Sequence, residues 1–198
     1  MKKYFKYTGF LILFLALTIS SCKKKKKEAG PDANLTGSYF SIKQFALDEW
    51  NTFAHDPFTI VKTVKVNSGA TDSSFTNSDT ISWAPIFKAF FETDISGRTF
   101  LGKYTFTQFD DNQDATHNFF YEADPEDDEL FTRKVLITID QNNHRVKGIY
   151  IETLKKNIMG ERTQRLYYSP MKTIQIQTDE KPVVGGNKLT IVQYDFML

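Results

Sequence analysis

LFTRKVLITIDQNNHRVKGIYIETLKKNIMGERTQRLYYS, residues 130–169, alternates apolar and polar side chains through three runs separated by short polar breaks. Successive residues of a strand point to opposite faces, so a period of two puts one set on a core and the other toward water. Phe131, Val135, Ile137 and Ile139 fall on one such face. The breaks Asp140–His144 and Lys155–Gly160, and the link Ser169-Pro170 beyond, are short and mostly polar. A parallel return takes a dozen or more residues, so these runs are antiparallel neighbours. The same rhythm predicts seven strands: 103–109, 117–123, 130–139, 146–154, 162–168, 171–178 and 188–197. It aligns Ile174 with Ile176, and Val192 with Tyr194, Phe196 and Leu198.

Upstream the period is helical. Ser41 with Gln44 three residues on has the form of a capping box, in which each side chain satisfies the other's free backbone N–H. Ile42, Phe45, Ala46, Trp50 and Phe53 then share a face, and Pro57 bars continuation. A second helix starts near Ser82, with Pro85 tolerated in its first turn. Its stripe is Trp83, Ile86, Phe87, Phe90 and Phe91. Between the helices, β-branched 58–66 predicts a strand and polar 67–79 a loop. The sum is an α+β architecture: two N-terminal helices packed on a mainly antiparallel meander of about six to eight strands, open or closed as far as a half-barrel.

The start of the chain carries an address. Lys2, Lys3 and Lys6 precede an apolar run, Gly9–Ile19, and then Ser20, Ser21 and Cys22. Basic, apolar and small in that order describes a secretory signal peptide. From Tyr7 to Cys22 the run is shorter than the roughly 20 apolar residues a spanning helix needs. Ile19-Ser20-Ser21-Cys22 resembles the lipobox of bacterial lipoproteins: an aliphatic residue, two small ones, then the cysteine that becomes the first mature residue. The resemblance covers residues 1–22 only. It implies that Cys22 is lipidated on sulfur, that cleavage precedes it, and that the new amine is acylated. Each buried methylene is worth about 0.8 kcal/mol, so two or three acyl chains hold a protein at the bilayer almost permanently. In Gram-negative members an aspartate after the cysteine signals inner-membrane retention. Lys23 stands there, so the resemblance implies the outer membrane.

Residues 1–21 are therefore expected as leader, 22–37 as a lysine-rich tether and 38–198 as one domain. The whole-chain charge of +1 hides an asymmetry: from Pro31 on, 17 basic residues face 23 acidic ones, a net −6. An acidic body on a basic stalk suits solubility, not nucleic acid, and Lys23–Lys27 carry no interleaved aromatics. Cys22 is the single cysteine, so with it acylated neither a disulfide nor a thiolate site exists. No cofactor fingerprint, phosphate loop or serine-hydrolase elbow is present, and no cofactor, metal or catalytic residue is expected. Gly185-Gly186 lacks the helix that phosphate binding would need.

Asp110-Asp111-Asn112-Gln113-Asp114 alternates oxygens as a calcium loop does, but Ala115 and Tyr121 stand where glycine and the twelfth-position glutamate belong. A hairpin turn fits better, and Asp124–Glu129 reads as a solvated loop. His55, His117 and His144 read as surface residues, and Trp50 and Trp83 as core. Phe119-Phe120-Tyr121 and Tyr167-Tyr168 differ from these, because adjacent aromatics on a strand cannot all face the helices. Phe119, Tyr121 and Tyr167 are the candidate contact surface. The expected function is a lipid-anchored, non-enzymatic binding or accessory module. It would use that aromatic face, or a cavity between sheet and helices, to meet an envelope protein or an apolar ligand. The layout resembles small envelope lipoproteins that carry hydrophobic ligands on an antiparallel sheet. A carboxylate-based hydrolase and a structural lipoprotein are the rivals.

Overall fold

The computed structural model describes residues 39–53 and 58–197, without the Phe53 side chain. The leader, Cys22, the tether, His55, Pro57 and Leu198 lie outside the described residues. Helix α1 spans Ile42–Phe53. Strands β1 (Thr59–Val66) and β2 (Thr71–Asn77) follow, then helix α2 (Trp83–Phe91). A short 3-10 turn, Arg98–Phe100, leads into the remaining strands. These are β3 (Tyr104–Asp111), β4 (Thr116–Ala123), β5 (Thr132–Asp140) and β6 (Val146–Asn157). The last three are β7 (Gly160–Ser169), β8 (Thr173–Pro182) and β9 (Lys188–Met197).

All nine strands form one antiparallel sheet in the order β2-β1-β9-β8-β7-β6-β5-β4-β3. The sheet stays open, with β2 and β3 as its edges. Eight strands, β1 among them, stand within a few residues of their expected positions, and the count of nine exceeds the expected six to eight. The extra strand is β2, in the segment read as a loop. Its sequence TDSSFTN shows no apolar period because it is an edge strand exposed along nearly its whole length. Pairing with β1, from Thr59↔Asn77 to Lys65↔Thr71, makes it a strand. Polar side chains on an edge also discourage pairing with another chain.

One face of the sheet is apolar and carries the helices. Tyr121, Val135, Ile151, Leu166, Ile176 and Val192 lie opposite one another across six strands. A second row runs Phe119, Ile137, Ile149, Tyr168, Ile174 and Tyr194. Tyr168 packs edge-on against Phe45 of α1 and Phe90 of α2, with ring centroids 5.8 and 6.2 Å apart. Trp83 stacks on Phe196 at 6.1 Å and donates Nε1–H to the Ser78 carbonyl at 2.9 Å. Trp83 is a buried core residue, as its helical spacing predicts, and the half-buried Trp50 packs against the core with its ring 5.6 Å from that of Phe87. Phe91, at the end of the stripe, is only half-buried.

Three local expectations change. The Gln44 N–H does reach the Ser41 hydroxyl, at 3.1 Å, but the Gln44 side chain bonds Asp48 instead of returning to the cap. The link Lys155–Gly160 shrinks to the two residues Ile158 and Met159, since pairing continues to Asn157↔Gly160. A register shift between Thr132 and Lys134 breaks the alternation at Phe131. Thr132 is the buried residue there, its hydroxyl donating to the Thr93 carbonyl at 3.1 Å, while Phe131 is half-buried.

Candidate contact face on the open side of the sheet

The helix-bearing face leaves almost no room. The crevice bounded by Ile42, Phe45, Phe87, Phe90, Ile149 and Tyr168 holds about 10 Å³, room for one water at most. A cavity between helices and sheet was one of the two expected means of binding, and at this crevice the packing of Phe45 and Phe90 on Tyr168 leaves no room for a ligand.

The opposite face has no described layer over it and is not uniformly polar. Leu136, Tyr150 and Tyr167 lie side by side on β5, β6 and β7. In the next row Thr138 pairs with Gly148, whose missing side chain opens a hollow beside the Tyr167 ring. The hollow measures about 180 Å³. Its far lip is Lys147 with Asp114, the Lys147 ammonium donating to the Asp114 carbonyl at 3.2 Å. A methyl group at Gly148 would lie 3.5 Å from the Tyr168 carbonyl oxygen and 3.7 Å from the Tyr167 ring, which is ordinary contact. The hollow therefore comes from an absent side chain, not from an unusual backbone.

Tyr150 is fixed. Its hydroxyl donates to Glu152 Oε1 at 2.6 Å, and Arg165 Nε holds the same oxygen at 3.3 Å. Burial, then the neighbouring Glu152, pushes the Tyr150 hydroxyl up to about 12. Tyr167 is 40% exposed and presents its ring beside the hollow. The arrangement offers an apolar, aromatic floor with one cation and one acid at its rim. Ligand cavities usually exceed about 300 Å³, so this hollow suits one side chain of a larger partner rather than a whole small molecule.

Of the candidate surface residues, only Tyr167 stands here. Phe119 and Tyr121 face the helices; Tyr121 is buried and Phe119 packs against the core. The structure thus separates the three across the two faces, and Phe120 is the aromatic of its triplet that turns outward, opposite Leu136. Leu136, Gly148 and Tyr150 were missed from sequence, although a signal existed. Leu136 and Tyr150 are apolar at positions out of phase with Val135, Ile137, Ile149 and Ile151.

The remaining candidates are absorbed by turns. Asp111 accepts the N–H groups of Gln113 and Asp114, and Asp110 bonds His117 at 2.6 Å. The segment is thus the hairpin turn expected from the sequence. His144 sits in the β5–β6 turn at φ 57°. In the acidic loop Asp124 and Asp127 accept the N–H groups of Glu126 and Glu129, and Arg133 binds the carbonyls of Asp124 and Asp127. Asp128 is held below the usual carboxylate range by its hydrogen bond with Lys156, and Asp140 by the backbone N–H of Asn142. Among the described residues no group of three or more His, Cys, Asp or Glu could hold a metal ion, and no helix is long and apolar enough to cross a membrane.

No family model and no curated protein matches this sequence. Among solved structures, a LolA superfamily protein from Nitrosomonas europaea overlaps 81% of this chain and 94% of its own, at 12% identity and a TM-score of 0.27. At that depth the likeness assigns neither a fold nor a ligand to this chain.

Proposed function

We propose that this is a lipid-anchored envelope protein, held at the outer membrane through Cys22, that acts as a non-catalytic binding module. Its open sheet face docks a protein partner at the Tyr150–Tyr167 hollow. The observation that carries this reading is the half-exposed Tyr167 ring beside the notch at Gly148, on a face with no described layer over it. Tyrosine anchors over preformed pockets dominate the energetics of protein interfaces. The filled crevice under the helices favours this face over a carrier cavity. Among the described residues the two shifted carboxylates, Asp128 and Asp140, are both lowered by structural partners, whereas a general acid needs its carboxyl raised.

A photocrosslinking residue at Tyr167 in the full chain, expressed in its own cells, should give one discrete adduct. Gly148→Leu, which fills the notch, should abolish that adduct while the protein remains folded. Absence of any adduct at Tyr167 overturns the docking role. Fatty-acid labelling tests the anchor separately: Cys22→Ala should abolish it, and unchanged labelling refutes lipidation.

A further inference from the structure

Hairpins β6–β7 and β8–β9 run past their neighbours. The register ends at Thr132↔Thr153 on the β5 side and at Val66↔Thr190 on the β1 side. Pairing within the central strands continues to Asn157↔Gly160 and Gly160↔Pro182. Four residues at about 3.3 Å each carry the β6–β7 turn roughly 13 Å beyond the last β5 pair.

The two turns are joined. The Val183 N–H donates to the Met159 carbonyl at 2.9 Å. Gly160 permits this approach: its φ is +141°, and a Cβ there would lie 2.3 Å from the Lys181 carbonyl oxygen. The joined tip exposes four apolar side chains between Asn157 and Asn187. Ile158 is 93% exposed, Val184 88%, and Met159 and Val183 72% each. Segments 157–160 and 182–187 contain no acidic residue. Behind them stand Lys155, Lys156, Arg162, Lys181 and Lys188. Lys156, Arg162 and Lys181 pair with Asp128, Glu180 and Glu161. Lys155 and Lys188 make no ion pair among the described residues.

We infer that this joined tip is a membrane wedge: Ile158, Met159, Val183 and Val184 enter the boundary between headgroups and acyl chains of an anionic bilayer, and Lys155 and Lys188 meet its phosphates. Protein interfaces are enriched in aromatic residues, methionine and arginine and depleted in lysine, and of these the tip holds only Met159. Aliphatic tips behind a lysine collar have the composition of a bilayer contact instead, because lysine stems lie along apolar surface while their charges stay in water. The complementarity is confined to the tip, since the acidic Asp124–Glu129 loop stands behind it at the same end, with Asp128 2.9 Å from Lys156, and the domain as a whole is acidic. The chain also enters the described residues at this end of the sheet. Tyr39 packs at 6.0 Å on Tyr104, the first residue of β3, and at 5.3 Å on Tyr121. The wedge needs no acyl group on Cys22 and does not use the Tyr167 hollow, so it stands or falls apart from both.

The test uses the full chain with Cys22→Ser, which removes the native thiol, and a single environment-sensitive fluorophore on Ile158→Cys or on Gln113→Cys at the opposite end. The leader alone can bring this chain to a vesicle, so probe depth is read instead of binding. With phosphatidylglycerol–phosphatidylethanolamine vesicles, the probe at 158 should shift to the blue and be quenched by lipids labelled just below the headgroup. The probe at 113 should stay in water. Val183→Ser with Val184→Ser should weaken the insertion about tenfold, from the apolar burial lost. A water-exposed probe at 158 on vesicles overturns the wedge. So does a blue shift that appears without vesicles as protein concentration rises, which would mean that the tip meets a second copy.

Discussion

Two glycines show how differently one residue type acts. Gly148 is an open position, where an added methyl meets only ordinary contacts. Gly160 is a closed one, where the same methyl would strike the backbone of Lys181 and Pro182 at 2.3 and 2.7 Å. Gly160→Ala should therefore destabilise the domain by roughly 2–4 kcal/mol, seen as a lower urea midpoint, and part the two hairpin tips. Gly148→Ala should leave the midpoint nearly unchanged. An equal cost at both positions would show that the β7–β8 approach is not as tight as drawn. Neither role was legible in the sequence. A glycine's neighbours across a sheet depend on register, and nothing in GIYIE or NIMGE reports what lies opposite.

At the scale of elements, legibility followed burial. β4 to β9 bury one face, so their apolar residues repeat every second position and could be read directly. Both helices bury a stripe and were equally readable. β2 buries almost nothing, so its pattern carries no period and it was lost among the turn residues around it. Strand ends were misjudged where charged residues continue the pairing, as at Lys155–Asn157 and Asp179–Pro182. The Ser41 cap was legible because the motif is local. Its hydroxyl accepts the Gln44 N–H, and the partner half of the box is diverted to Asp48. Ser41→Ala should cost about 1 kcal/mol in a chemical-denaturation series, and Gln44→Ala clearly less. Equal losses would mean that the Gln44–Asp48 bond, not the cap, holds the first turn.

For the whole molecule, the buried tyrosines set a limit at high pH. Burial pushes the Tyr104 hydroxyl up to about 12, and that of Tyr168 far upward through burial and its bond to Glu49. Tyr150 is also raised to about 12. These groups ionise near 10.0 when unfolded, so below that pH both states keep their protons and the stability is fully present. Between about pH 10 and 12 only the unfolded chain loses them, and stability falls as pH rises. Melting temperature should be level from pH 7 to about 10 and then drop. Tyr104→Phe and Tyr168→Phe should each flatten the drop, and an unchanged slope in both would assign it to other groups.

The pairing of β1 with β9 has a consequence in time. Thr59 meets Met197 and Val66 meets Thr190, so the strand made early in synthesis waits for one made more than a hundred residues later. Until β9 arrives, β1 and β2 are an isolated two-stranded ribbon, which is marginal in water. Such distant closure makes folding slow. Under the export proposed above, that delay keeps the nascent polypeptide loose enough to pass a membrane before it acquires its shape.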